Sequence, residues 1–275
     1  MISICCAIVL YKMQLSESPA FQSAYAQIGT HHKIRLFIFD NSPDADSNHR
    51  NYPDIRYDHC PDNKGLGYAY NAAARYASKE KLDWLLLLDQ DTILPDGFFD
   101  SYIDAISAHP DLQLFVPQVF LPKGTEFSPF RRWKAQKNPL SPGRIYPIKH
   151  YLLINSGLCV KLSLFERSGG YDERIWLDFA DTQFVRKLWH SGERYFYLLP
   201  CKCFQNFSNE QTDIEKLQSR FEIYLECGKN CKFLDFPDWA FRQYCVISHT
   251  LSLTIRTRKI SFLTKSITKY WMRRF

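Results

Sequence analysis

Leu85-Leu86-Leu87-Leu88-Asp89-Gln90-Asp91 is the stretch on which the fold turns. From Trp84 the run is apolar without alternation, so both faces of the strand it forms are buried, as inside a parallel sheet. It stops abruptly at Asp89, which puts two carboxylates one residue apart where a buried strand meets a loop. Hard divalent cations take oxygen ligands, and Mg²⁺ is held by one or two carboxylates together with substrate phosphates. An Asp-x-Asp after an apolar run also serves as a plain turn. The strand-end position is what favours chemistry here.

Outward from this run, apolar segments alternate with helical patterns. Residues 2–10, 34–39 and 55–59 read as strands, 16–29 as a helix with Ser16 as a candidate N-cap, and 67–78 as an Ala-rich helix. This alternation predicts βαβ units in an α/β fold, a mostly parallel twisted sheet flanked by helices. Ligands of such sheets bind at the carboxyl ends of the strands, where Tyr11, Asp40 and Asp89 all fall. Further on, a helix is expected near 96–108 and strands at 114–120, 154–160 and 195–199. A turn is expected at Gly169-Gly170, a helix from about Asp178, and helices from Thr212 to the end. The proline-rich, basic segment 122–147 (with Arg131, Arg132 and Lys134) is expected to be a long loop or hairpin over the site.

The composition is that of a globular protein: 275 residues, 45% hydrophobic, 16% aromatic and 23% charged. Such a chain builds a core without disulfides. Its nine cysteines make no paired C-x2-C zinc pattern and read as buried thiols in a reducing cytosol. The N-terminus has neither the basic flank nor the cleavage site of a signal peptide. The apolar runs fall short of the ~20 residues that span a bilayer. The net charge of +6 is carried by Arg256, Arg258, Lys259, Lys265, Lys269, Arg273 and Arg274 in the acid-free stretch 251–275, which leaves the body near neutral. No basic patch with base-stacking aromatics appears elsewhere, so nucleic acid is not an expected partner.

Several blocks, in order, carry a resemblance: IVLYK (8–12), IFDNS (38–42), NKGLGYAYNAA (63–73), LLLDQDT (86–92), INSGLCV (154–160) and GGYDERIWLDFADTQF (169–184). The chain resembles family 2 glycosyltransferases of the GT-A fold, closest in flavour to bacterial rhamnosyltransferase-like members. The resemblance spans residues 2 to about 207. It implies a catalytic domain over 1–210, with a nucleotide-sugar half (1–110) and an acceptor half (111–210), followed by a basic, amphipathic helical extension over 211–275. The glycine block lacks the G-x-G-x-x-G spacing of dinucleotide binding, which argues against NAD.

The resemblance assigns roles to matching positions. Tyr11 and Asp40 would hold the base and ribose, although a turn aspartate also caps its own backbone. Asn63, Gly65 and Asn71 would shape the donor loop, and Gln90 is grouped with these donor-binding residues. Asp91 would ligate Mg²⁺ or Mn²⁺ directly, with Asp89 contacting the ribose or the metal through water. An inverting transfer needs one base for the acceptor hydroxyl, on the face opposite the leaving group. Asp181 aligns with that base and Asp178 is the second choice, the two being expected to share a face on a helical first turn. Asp172 is expected to order its loop.

The sequence departs from the family pattern in two places. Ala180-Asp181 stands where many relatives carry an acidic pair, and Cys203-Phe204-Gln205-Asn206 stands where many carry a metal-binding His. Gln205 or Asn206 would offer a neutral oxygen instead. At the C-terminus, Leu263, Ile267, Trp271 and Phe275, with Tyr270 beside them, form an apolar helical stripe opposite Lys265, Lys269 and Arg273. This suits an anionic membrane surface, or an end helix packed on the body.

The resemblance thus implies an inverting hexosyltransferase on the cytoplasmic, inner face of a bacterial membrane. It would move a sugar from a dTDP- or UDP-sugar (best matched by dTDP-L-rhamnose) to a lipid-linked glycan acceptor of the O-antigen or capsule type. The competing readings are a sugar nucleotidyltransferase, for which Lys12 is the only cation near the first strand, and a non-catalytic membrane-bound scaffold of a glycan-assembly complex.

Overall fold

The computed structural model describes residues 2–29, 33–133, 138–205 and 213–272. Its first half alternates strand and helix: β1 (Ile4–Leu10), α1 (Pro19–Ile28), β2 (Ile34–Asp40), β3 (Ile55–His59), α2 (Gly65–Lys79) and β4 (Trp84–Asp89). Next come β5 (Thr92–Ile93), α3 (Phe98–Ala108), β6 (Leu114–Phe120), β7 (Glu126–Ser128), β8 (Phe130–Arg131), β9 (Arg144–Pro147) and β10 (Tyr151–Leu152). They lead to β11 (Leu158–Lys161), α4 (Leu162–Arg167), α5 (Ala180–His190) and β12 (Tyr195–Gln205). The C-terminal part is helical: α6 (Ile214–Asn230), α7 (Phe236–Thr257), α8 (Ser261–Lys265) and a π-helical segment at Ser266–Trp271.

The sheet order is β3-β2-β1-β4-β11-β6-β12-β5, with β7 on β6 and β9 on β12. β4 is central, and its unbroken leucines follow from burial on both faces. Leu85 and Leu87 pack into one core with Ala69, Ala73 and Phe184, under α2 and α5. Leu86 and Leu88 enter the other with Phe21, Phe98 and Tyr102, under α1 and α3. Each fully buried leucine contributes roughly 1.5–3 kcal/mol. β1 pairs parallel with both β2 and β4, setting Leu10 opposite Asp40 and Val9 opposite Asp89. That register brings Tyr11, Asn41 and Gln90 out side by side on one rim.

The structure corrects several expectations. β11 runs antiparallel to both neighbours, so the sheet is mixed on its acceptor side. That strand spans only Leu158–Lys161, because Gly157 turns the chain at φ 93° just before it. A Cβ on Gly157 would lie 2.4 Å from the Pro117 ring, so no other residue fits there without a shift. The first helix starts after Ser18, whose hydroxyl accepts from the Phe21 N–H, with Pro19 at its first position. β12 extends to Gln205 instead of ending near residue 199.

The segment 122–147 is not a free loop over the site. β7 and β9 are edge strands, and Arg132 is buried with its guanidinium on Asp238 of α7 at 3.2 Å. Lys134 lies outside the described residues. All nine cysteines are unbridged, seven of them buried and Cys60 and Cys245 half-buried.

The C-terminal helices form a small core of their own from Phe221, Leu225, Val246, Leu253, Phe262 and Tyr270. The expected terminal stripe is therefore split. Phe262 and Tyr270 face inward, whereas Leu263 and Ile267 are exposed. Lys265 and Lys269 both pair with Glu222 of α6. Arg273, Arg274 and Phe275 lie outside the described residues.

Candidate active site

At the carboxyl ends of β1, β2 and β4 the chain leaves a cavity of about 540 Å³. Its wall includes Tyr11, Asn41, Asn63, Gly65, Asp89, Gln90 and Asp91 from the first half, Trp176 and Leu177 from the loop before α5, Gln205 from β12, and Arg220 and Ile223 from α6. Six of the donor- and metal-side residues singled out in the sequence thus meet on one wall.

The two carboxylates are held differently. Asp89 accepts from the Ser156 hydroxyl (2.7 Å), the Tyr70 hydroxyl (3.1 Å) and the Gln205 amide (3.4 Å). Burial pushes it above the usual carboxylate range, against those bonds. Asp91 accepts from the same Gln205 amide at 3.1 Å. Burial, and then the charge of Asp89, push Asp91 up to about 6. The Gln205 carbonyl in turn accepts from Ser156 at 3.2 Å.

Gln90 turns its side chain back to the first strand. Its Oε1 accepts from the Tyr11 N–H at 2.8 Å, and its backbone carbonyl accepts from the Ser18 hydroxyl. Gln90 thereby fixes the backbone of Tyr11, an exposed residue in the cavity wall.

The glycine loop closes against the loop before α5. Asn63 sits at φ 43° and its carbonyl accepts from the Trp176 indole N–H at 2.8 Å. Gly65 sits at φ 86°, and a Cβ on it would lie 2.5 Å from the Trp176 carbonyl oxygen. Asn71 stands away from the cavity: its amide spans the Tyr171 backbone and Glu173. It ties α2 to the 171–173 loop.

Asp40 is buried and its carboxylate is already used, by the Ser42 N–H at 2.8 Å and the Tyr57 hydroxyl at 2.5 Å. It lines an adjoining cavity of about 450 Å³ with Lys12. Its neighbour Asn41 faces the main cavity instead. Asn41 is 2% exposed, and its Oδ1 has no hydrogen-bond partner among the described residues. Buried polar atoms are nearly always paired, so an acceptor left open in a cavity wall points to a ligand donor.

On the acceptor side, Phe179 adopts φ 65° and α5 begins only at Ala180. Asp178 and Asp181 therefore do not share a helical turn, which corrects the spacing argument. Asp178 is salt-bridged to Arg220, with Nη2 donating at 2.8 Å. Asp181 accepts from the Thr182 N–H at 2.6 Å. Burial, with a smaller push from the Asp89 charge, lifts Asp181 to about 6. Tyr70 and Tyr171, with rings 5.4 Å apart, feel the charges of both Asp89 and Asp181. Asp172 pairs with Arg174 and orders its loop, as expected.

Among the described residues, no cluster of three or more His, Cys, Asp or Glu side chains is placed to hold a metal. The cavity offers Asp91, then Asp89, and a neutral amide at Gln205. Two neighbouring carboxylates, the charge of Asp89 raising the pKa of Asp91, favour a cation beside them, and so few protein ligands fit an ion that keeps water and phosphate oxygens. Asn206 lies outside the described residues.

Sequence reading missed Asn41, Ser156, Trp176 and Arg220. Asn41 and Ser156 sit inside quoted blocks (IFDNS and INSGLCV), so the buried asparagine after a strand end was the available signal. Arg220 carried no local signal, since α6 meets the rim only in the folded chain.

The comparisons with known proteins fit this geometry. GalNAc-T7, solved with UDP, GalNAc and Mn²⁺, superimposes with a TM-score of 0.58 at 14% identity over 81% of this chain, and this chain spans 47% of it. S. aureus TarS residues 1–349 with UDP-GlcNAc gives 0.58 at 12% identity, covering 85% of this chain and 68% of that one. The full S. aureus TarS gives 0.52 at 11% identity over 99% of this chain and 45% of its own length. No curated protein matches in sequence. The fold is that of GT-A glycosyltransferases. The sequence profile of glycosyl transferase family 2 matches residues 18–165, over half of the chain. On that match the chain belongs to glycosyl transferase family 2.

Proposed function

We propose that this chain is an inverting glycosyltransferase that moves a sugar from a nucleotide donor to a glycan hydroxyl. The observation that carries this reading is the strand-end cavity, where Asp89 and Asp91 meet Tyr11, the open acceptor of Asn41 and the glycine loop. In this reading the Tyr11 ring stacks on the base and Asn41 Oδ1 accepts a ring N–H. Gly65 lets the backbone approach the donor closely. Asp91, backed by Asp89, would hold Mg²⁺ or Mn²⁺. Such an ion, when bound, neutralises charge on the departing diphosphate.

Asp181 takes the proton of the attacking hydroxyl. A carboxyl lifted to about 6 is largely ionised at neutral pH yet basic enough to serve. It lies beyond the stretch matched by the family profile and outside the residues that line the cavity, so its role rests on the resemblance and on the reach of the Asp89 charge to its carboxyl.

The nucleotide-sugar donor is supported by the UDP and UDP-GlcNAc carried by the GalNAc-T7 and TarS structures. By resemblance the donor is dTDP-L-rhamnose or a UDP-sugar, and the acceptor is a lipid-linked glycan of a cell-surface polysaccharide. A membrane location on the cytoplasmic face goes with that acceptor. No described helix is long and apolar enough to cross a membrane. The membrane-facing surface is then the exposed stripe Tyr244, Ile247, Leu251 and Ile255 of α7, continued by Ile260 and flanked by exposed Arg256, Arg258 and Lys259. Apolar side chains beside cations suit anionic lipid.

Calorimetric titration with UDP and dTDP, with and without Mn²⁺, tests the reading. Binding of one of them is expected, and a folded protein that binds neither overturns it.

A further inference from the structure

The cavity holds two carboxylates, Asp89 and Asp91, and among its described lining residues a single cationic side chain, Arg220. A nucleoside diphosphate would bring further negative charge to a wall that is already anionic. The other cations near the rim are turned elsewhere. Lys12 lines the adjoining cavity with Asp40, and Lys64 and Arg75 stand over the Tyr68 ring in a third.

Arg220 comes from α6, outside the sheet, and its side chain is 46% exposed. Each terminal nitrogen of its guanidinium donates to one oxygen of Asp178. That two-point grip fixes the plane of the fork while leaving further N–H donors for a ligand, since a guanidinium has five. Asp178 is itself placed by the chain reversal at Phe179, which also packs on Tyr224 one helical turn beyond Arg220.

We infer that Arg220 is the residue that binds the diphosphate of the donor, with Asp178 as its positioning residue. This assignment rests on the nucleotide-sugar reading above. A planar fork matches two phosphate oxygens, and a charge-assisted pair of this kind is among the strong hydrogen bonds of proteins. The helical extension is thereby part of the donor site, and Asp178 acts through Arg220 and not on the acceptor.

The test is calorimetric titration of the full chain in EDTA with UDP, UMP, dTDP and dTMP, for wild type and Arg220→Gln. Wild type is expected to prefer a diphosphate over its monophosphate. Arg220→Gln is expected to lose about 10- to 100-fold in diphosphate affinity, the scale of a lost charged hydrogen bond, and to bind the monophosphate within about twofold of wild type. Should Arg220→Gln fail to fold, Arg220→Lys carries the same test: it keeps the charge, loses the fork, and the preference is expected to fall several-fold. An unchanged preference in either folded variant overturns the assignment alone. A wild type that binds none of the four nucleotides overturns it together with the reading it rests on.

Discussion

Gln205 donates its side-chain amide to Asp91 at 3.1 Å across 114 positions of sequence, and the same nitrogen reaches Asp89 at 3.4 Å. One neutral amide at the end of β12 thus serves both carboxylates at the end of β4. By the resemblance it stands where many family members carry a metal-binding His, so a neutral amide takes the place of an imidazole beside the two carboxylates.

Gln205→Ala removes the donor shared by two buried carboxylates. The expected cost is about 1–3 kcal/mol of stability, the penalty for a buried group left unpaired. The loss is expected to be larger above pH 6, where Asp91 (about 6) is ionised, than below it. Urea denaturation at two pH values measures both.

Asp181 titrates in the fold near 6, above its ordinary 3.8. If it is the base, transfer falls as pH drops through about 6. Stability runs the other way. The folded state takes up a proton more readily than the unfolded chain, so this group adds stability as pH falls from 6 towards 3.8 and withdraws it as pH rises. Asp181→Asn is expected to abolish transfer and to melt above wild type at neutral pH, with a flatter stability profile across that window. A pH-rate profile and thermal melts check the two halves separately.

Asp238, 5% exposed, lies among Arg132 (3.2 Å), Arg186 (3.6 Å) and Arg242 (4.0 Å). This cluster ties α7 to α5 and to the residue that follows β8. Asp238→Ala leaves buried guanidinium groups uncompensated and is expected to cost about 3–5 kcal/mol in urea denaturation.

The exposed stripe of α7 is the expected membrane contact, with Ile255 75% exposed beside Arg256 and Arg258. Leu251→Asp and Ile255→Asp are expected to weaken co-flotation with phosphatidylglycerol vesicles by about tenfold or more, since each replaces a burying side chain with a charge. Deleting residues 255–275 is a poorer probe, because Phe262 and Tyr270 belong to the C-terminal core. Binding unchanged in both variants removes the stripe from the membrane contact.

The strand-end rim was legible because periodicity reports it: β4 reads as an unbroken apolar run ended by Asp89, and register then places Tyr11 and Asn41 beside it. Spacing alone puts Asp178 on a helix, because it cannot see the positive φ at Phe179. Arg220 was invisible for a different reason. Its neighbours in sequence describe an ordinary amphipathic helix, and only tertiary packing turns one of its cations to the cavity. The terminal helix was half legible: its apolar residues are real, but Phe262 and Tyr270 spend themselves on packing while the exposed stripe lies on α7.

The central claim is sugar transfer from a nucleotide donor. Its most direct test is release of nucleoside diphosphate by the purified chain, given membrane extract and each of a panel of dTDP- and UDP-sugars, compared with Asp91→Asn. Release from one donor that depends on the extract and falls at least about 100-fold in the variant is the predicted result, the scale of losing charge stabilisation at a leaving group. A folded wild type that releases no diphosphate from any donor, or a variant as active as wild type, contradicts the account.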